Sequence, residues 1–221
     1  MKRAGVLAVP FTVLAAVLLL IPITAAKAAG ENVRRLGAEI AVMYADGRRL
    51  NDESLSAHHR SGVTARLRGG LAVLDLLIRA ARNDDPSVAQ FEDTPVEMIR
   101  SALDQGDRAS ALKVLSQLVQ RYPFETSGLL PPDNRKNAQR QAKTLHETYC
   151  AACHDDPDLS GRRPAWNLFT LAQNISPAEL AARLVIGVRG DSLTGLDNPF
   201  RDSEISALIS FYRGDKVRRV K

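Results

Sequence analysis

Apolar residues recur at three- and four-residue steps in the first half of this chain, which is the period of an α-helix. The clearest example is an amphipathic helix predicted over 63–82, in which Gly69 and Gly70 form a weak point or a place of close packing. Its apolar positions are Val63, Leu67, Leu71, Leu74 and Ile78. The same periodicity continues downstream, so helices are expected to dominate the fold.

A helical hairpin is predicted over 94–122. Thr94 and Glu97 form a capping box around a proline at the first helical position, while Gly106 and Asp107 separate the two helices. The apolar face of the second helix comprises Ala111, Leu115, Leu118 and Tyr122. The hairpin resembles one tetratricopeptide-type unit, but no second copy follows at a fixed period, so an ordinary helical hairpin is favoured.

Two more helices are predicted near the C terminus. Ser176 and Glu179 form a second capping box, whose helix ends near Gly187, and Asp202 is a suitable N-cap for the last helix. Their apolar positions are Leu180, Leu184, Val185, Ile205, Leu208, Ile209, Phe211 and Tyr212. The predicted fold class is therefore all-α.

Paired prolines divide the chain. Because Pro131 and Pro132 cannot continue a helix, we expect a helical region over 29–130, made of hairpins or a bundle, and a separate domain over 131–221. Residues 1–28 are set apart by a different pattern.

The N-terminal pattern predicts export. Lys2 and Arg3 precede an apolar run over 5–23, and Ala26-Lys27-Ala28 matches the small-x-small pattern of a signal-peptidase site. A signal peptide cleaved after Ala28 would place the protein in the periplasm. The run of 19 residues is also long enough to span a bilayer, so an uncleaved membrane anchor is the alternative.

The charge of the chain argues against nucleic-acid binding. The formal net charge is +5, and removing the three cations of the leader leaves about +2. The one basic concentration is the tail at 216–221, which is read as a solvated end, with a docking role as the alternative.

The only two cysteines lie in the pattern Cys-x-x-Cys-His, formed by Cys150, Cys153 and His154. On one helical turn the two thiols can add to the two vinyl groups of a haem, and the adjacent histidine is left to bind the iron. Covalent haem attachment takes place outside the cytosol, in agreement with the predicted export. A single covalently attached haem c is therefore the expected cofactor.

Three other interpretations of the cysteine pair are less favoured. A thioredoxin-like pair should follow a strand, whereas the segment 137–149 is polar and helical in character. A structural zinc needs four ligands, and only His146 lies near the three motif residues in sequence. A plain disulfide is the third alternative.

Residues 137–221 resemble a class I c-type cytochrome domain over nearly their whole length. The resemblance implies that a helix before the motif packs on the C-terminal helix, with Ala142, Leu145 and His146 at the matching places. It also implies that Pro164 sets a backbone carbonyl that accepts a hydrogen bond from the ring of His154. Trp166 is expected to pack on the macrocycle, or to donate to a propionate.

The chain departs from that family at the sixth iron ligand. The usual methionine position falls near Leu193 and Leu196, neither of which can bind iron, and no histidine follows His154. A distal ligand from the N-terminal region is slightly favoured over an open or water-bound site. The candidate ligands are Met43, His58, His59 and Met98, together with Lys143 and His146 beside the motif.

The expected function is that of a periplasmic monohaem electron carrier, serving a redox partner protein as part of a respiratory or oxidising complex. No catalytic residue is assigned, because electron transfer through an exposed haem edge needs none. Arg162, Arg163 and Arg189 are charges that could tune the potential. The alternatives are a haem-based sensor with an open distal site and an assembly protein whose helical region is the active part.

Overall fold

The computed structural model describes residues 30–157, 160, 165–187 and 198–214. Within them the chain forms helices and no strand, which confirms the all-α fold class. None of the described helices is both long enough and apolar enough to cross a bilayer. Several residues of the sequence predictions lie outside the described ones: the leader, Arg162, Arg163, Pro164, Arg189, Leu193, Leu196 and the basic tail.

Four helices form the N-terminal region. They are α1 (Glu31–Leu50), α2 (Ala57–Asp84), α3 (Asp93–Asp104) and α4 (Arg108–Arg121). All four contribute to one apolar core, in which α1 packs on α2 and α4, and α3 packs on α4. The predicted apolar positions of α2 and α4 are all buried there. The core therefore depends on α1, a helix for which the sequence analysis gave no expectation.

The helix boundaries differ from the predicted ones at two places. Ser56 caps α2 by accepting from the backbone N–H of His59, so this helix begins six residues before Val63. Thr94 lies inside α3 instead of at its N-cap, which is Glu92, so the predicted capping box does not form. Gly106 has a positive φ of 73° and Asp107 caps α4 through the N–H of Ser110, as the sequence predicts.

Five helices follow among the described residues of the C-terminal region. They are α5 (Lys136–Tyr149), α6 (Ala151–His154), α7 (Leu168–Asn174), α8 (Pro177–Val185) and α9 (Asp202–Gly214). Helix α9 is central, since α5, α7 and α8 all pack against it. Ser176 caps α8 through the N–H of Glu179, as predicted. Asp202 does not act as the N-cap of α9, because it is the first residue of the helix and its carboxylate accepts from Arg34.

The two regions are joined by a broad contact between α1 and α8. Ala38 and Val42 of α1 form a small apolar cluster with Ala182 and Ile186. Leu129, which precedes the paired prolines, is fully buried in the core of the C-terminal helices. The boundary at 131 stays a prediction. A shortened chain that begins there would lose these contacts.

Candidate functional site

The Cys-x-x-Cys-His motif lies where α5 ends and the short helix α6 begins. Cys150 is buried and Cys153 is exposed, and the two thiols are not joined in a disulfide. Burial raises the pKa of the Cys150 thiol, although a hydrogen bond with the Tyr212 hydroxyl opposes this shift. The described residues contain no group of three or more histidine, cysteine or acidic side chains arranged to hold a metal ion.

A backbone carbonyl fixes the ring of His154. Its Nδ1 lies 2.5 Å from the carbonyl oxygen of Trp166, to which it donates. Burial lowers the pKa of His154, while the bond to Trp166 acts in the opposite direction. A neutral imidazole that donates through Nδ1 carries its free lone pair on Nε2, which is the form that binds iron. The predicted backbone acceptor is thus the carbonyl of Trp166, while the role of Pro164 in positioning it stays a prediction, since Pro164 lies outside the described residues.

The same imidazole geometry makes His154 and the two cysteines a fitting set of residues for a covalently bound haem. The thiols lie three residues apart at the start of α6, which is the spacing by which two cysteines would add to the two vinyl groups of one haem. Nε2 of His154 is the ring nitrogen left for the iron. The fit rests on these three residues and the carbonyl that orients one of them.

His146 is buried and hydrogen-bonded through both ring nitrogens. Nε2 lies 3.0 Å from Oδ1 of Asp155, and Nδ1 lies 3.1 Å from the Tyr212 hydroxyl. Because a carboxylate only accepts, Nε2 carries a proton, and in the neutral ring Nδ1 then accepts from Tyr212. Tyr212 also lies beside the Cys150 thiol, whose pKa it affects. Asp155, His146 and Tyr212 therefore form a hydrogen-bonded row that ends next to the first thiol of the motif.

The contacts of Trp166 reach into the N-terminal region. Its ring centroid lies 4.6 Å from that of His59, with 39° between the planes, and the guanidinium of Arg49 lies 5.5 Å from its centroid. Burial and the nearby Arg183 lower the pKa of Arg49 to about 10, so it remains a cation at neutral pH. These contacts join residues more than a hundred positions apart, and no local sequence pattern could have predicted them.

The structure places several of the candidate distal ligands. Met43 is packed in the N-terminal core, and His146 is engaged as described, so neither side chain is available to bind iron here. Met98 is about half exposed on α3, and Lys143 pairs with Glu147 on the surface. His58 and His59 remain as candidates, and His59 is the one that lies against Trp166.

Comparison with protein-family models, with curated proteins and with solved structures gives no match to this chain.

Proposed function

We propose that this protein is an exported monohaem c-type cytochrome that transfers single electrons to and from a redox partner protein, as a subunit or partner of a respiratory or oxidising complex. The observation that carries the proposal is the hydrogen bond from His154 Nδ1 to the Trp166 carbonyl, within an intact Cys-x-x-Cys-His motif. A haem held there would supply reversible one-electron chemistry at its iron.

The residues of the chain have separate roles in this proposal. Cys150 and Cys153 form the covalent attachment, each through one thioether bond. His154 provides the proximal nitrogen, and the carbonyl of Trp166 holds its ring in one tautomer and orientation. The aromatic residues around His146, including Phe169 and Phe211, exclude water from this end of the motif.

The proposal is tested by expressing the full chain with export and haem-attachment machinery. We expect one haem per chain that survives denaturing electrophoresis and is detected by haem staining. Cys150→Ser and Cys153→Ser should each weaken or abolish this retained haem, whereas Leu76→Ala, an exposed change on α2, should leave it intact. A wild-type chain whose haem is lost on denaturation would refute the c-type assignment.

A second function is favoured by the positions of two candidate ligands for the sixth site of the iron. Met43 is packed in the N-terminal core and His146 is hydrogen-bonded, so neither would occupy that site. If the site is open, the protein is a haem-based sensor or small-ligand binder. The absorption spectrum distinguishes the two functions. A low-spin ferric spectrum and no binding of carbon monoxide by the ferrous protein support the electron carrier, while a high-spin spectrum and tight binding support the sensor.

A further inference from the structure

We infer that the N-terminal helices act on the haem-attachment motif through Trp166: Arg49 and His59 hold its indole, and so fix the carbonyl that orients His154. The inference rests on the proposed function, because it concerns the proximal ligand of the proposed haem. It assigns positioning roles to Arg49 and His59, and it gives the N-terminal region a function at the iron that requires no ligand from it.

The position of the Trp166 backbone determines how the ring of His154 is oriented. Its carbonyl oxygen is the hydrogen-bond acceptor of His154, so a shift of its backbone would rotate or release the imidazole. The Trp166 side chain is partly exposed and, among the described residues, does not belong to the core of the C-terminal helices. Within the described part of the chain, the ring contacts of the indole come from the N-terminal region instead.

Two side chains of the N-terminal region contact the indole of Trp166. The imidazole of His59, from α2, is in van der Waals contact range at a centroid distance of 4.6 Å. The guanidinium of Arg49, in the last turn of α1, lies over the same ring at 5.5 Å, within the range of a cation–π interaction. Two helices of the N-terminal region thus meet at one side chain.

Hydrogen bonds hold the two side chains that contact Trp166. His59 Nδ1 is 2.9 Å from the hydroxyl of Ser56, the N-cap of α2, so the ring is held at the start of that helix. Arg49 Nη2 is 3.3 Å from Oε1 of Glu179 on α8. The contacts on Trp166 are therefore fixed to α1, α2 and α8, which are packed elements and not loops.

The electronic consequence has a definite sign. A strong hydrogen bond from Nδ1 makes the imidazole more electron-rich at Nε2, and an electron-rich ligand favours ferric iron, which lowers the potential. Loosening Trp166 weakens that bond and should raise the potential. A partner that docks on the N-terminal helices and moves α1 or α2 would shift the potential by the same route.

The test compares two variants at one position. His59→Phe keeps an aromatic ring against Trp166, and His59→Ala removes it; neither variant places a charge or an iron ligand at position 59. We expect His59→Ala to raise the midpoint potential and to speed solvent exchange of the His154 Nδ1 proton about fivefold, the size expected for one aromatic pair. His59→Phe should stay near the wild type. Leu76→Ala, exposed on the same helix, is the control for unrelated changes.

The outcomes separate this inference from the proposed function. Exchange is followed by NMR in the ferrous protein, as its carbon monoxide complex if the iron is high-spin, and haem staining is carried out on the same samples. One outcome is covalent haem in every variant, with no change in the exchange rate of the His154 Nδ1 proton or in the midpoint potential. That outcome would overturn the role of His59 and leave the proposed cytochrome function standing. A low-spin wild type with a high-spin spectrum in both His59 variants would instead make His59 the distal ligand, and would also overturn the inference. A wild type without covalent haem would overturn both proposals.

Discussion

At the scale of single residues, the most informative side chain is His146, because two opposite roles were open to it. The sequence places it beside the motif, where it could be an iron ligand, and on a helix whose other face packs inward. The structure buries it among Phe169, Phe211 and Tyr212 and satisfies both ring nitrogens. Its packing role could be predicted from helical periodicity, but its partners Asp155 and Tyr212 could not, since they depend on how α9 crosses α5.

His146→Phe tests that role. The substitution keeps an aromatic ring in the cluster but removes the imidazole that accepts from the buried Tyr212 hydroxyl, so we expect it to cost about 1–3 kcal/mol of unfolding free energy. The absorption spectrum of the proposed haem should not change, because both ring nitrogens of His146 are engaged in hydrogen bonds. Denaturant unfolding and absorption spectra check the two expectations. Tyr212→Phe is the matched variant, and its effect should not add to that of His146→Phe, since both remove the same bond.

At the scale of helices, α1, α2 and α8 are tied together by one buried carboxylate. Asp46 on α1 receives two bonds from Arg66 on α2, at 2.5 and 2.6 Å, and one from Arg183 on α8, at 2.8 Å. Its side chain is 1 % exposed, and that of Arg183 is 12 % exposed. Burial by itself would raise the pKa of Asp46, but the two arginines more than offset this and hold it below its ordinary value of 3.8.

Asp46→Asn should therefore be strongly destabilising. The change removes the carboxylate partner of Arg66 and leaves the nearly buried Arg183 paired with Glu179 alone, and we expect a cost of about 3–5 kcal/mol at neutral pH. Asp75→Asn, which removes an exposed pair with Arg79 on α2, should cost less than about 1 kcal/mol. Denaturant unfolding gives both values. Equal costs for the two variants would show that the buried carboxylate does not join the helices.

The pH dependence follows from the same carboxylate. Because its folded pKa lies below its unfolded value, the stabilisation is complete above the unfolded pKa and is lost as the pH falls through the folded pKa. The unfolding free energy of the wild type should therefore fall steeply below about pH 4. Asp46→Asn should fall less steeply over that range, and an equally steep fall would assign the acid sensitivity to other carboxylates.

Two glycines in neighbouring helices should respond in opposite ways to alanine. A Cβ at Gly37 on α1 would lie 2.5 Å from the Pro123 carbonyl oxygen and 2.8 Å from the Phe124 Cα, which are backbone atoms. A Cβ at Gly69 on α2 would meet no atom within 4 Å. We expect Gly37→Ala to cost about 1–3 kcal/mol through overpacking. Gly69→Ala should add about 0.5–1 kcal/mol through helix propensity.

Thermal unfolding of the two variants is the measurement, with the wild type as reference. A stabilised Gly37→Ala would mean that α1 and the segment after α4 do not approach as closely as described. The sequence predicts either a weak point or a place of close packing at Gly69 and Gly70, and the structure gives each glycine one of these roles. A Cβ at Gly70 would lie 2.7 Å from Met43 Sδ, whereas Gly69 faces open space.

At the scale of the whole molecule, sequence periodicity predicted the all-α class and the hairpin of α3 and α4, because local capping and apolar spacing determine both. The role of α1 could not be predicted in the same way. It packs against α2, α4 and α8, so its buried positions lie on more than one face and do not form a single narrow stripe. The contacts of His59 and Arg49 with Trp166 depend in turn on how α1 packs between the other N-terminal helices and α8.

The boundary between the two regions is the last prediction. The paired prolines place it at 131, yet Leu129 is fully buried among the C-terminal helices and Phe124 packs against the same core. A chain that begins at Asp133 lacks both side chains, and the loss of a buried leucine alone costs about 2–5 kcal/mol. We therefore expect a chain over 124–221 to retain covalent haem and helical circular dichroism more fully than one over 133–221 when both are exported. Both should be less stable than the full chain, because α8 loses the apolar and ionic contacts of α1. Equal stability and haem content of the two shorter chains would place the boundary at the prolines and leave Leu129 without a role in the C-terminal fold.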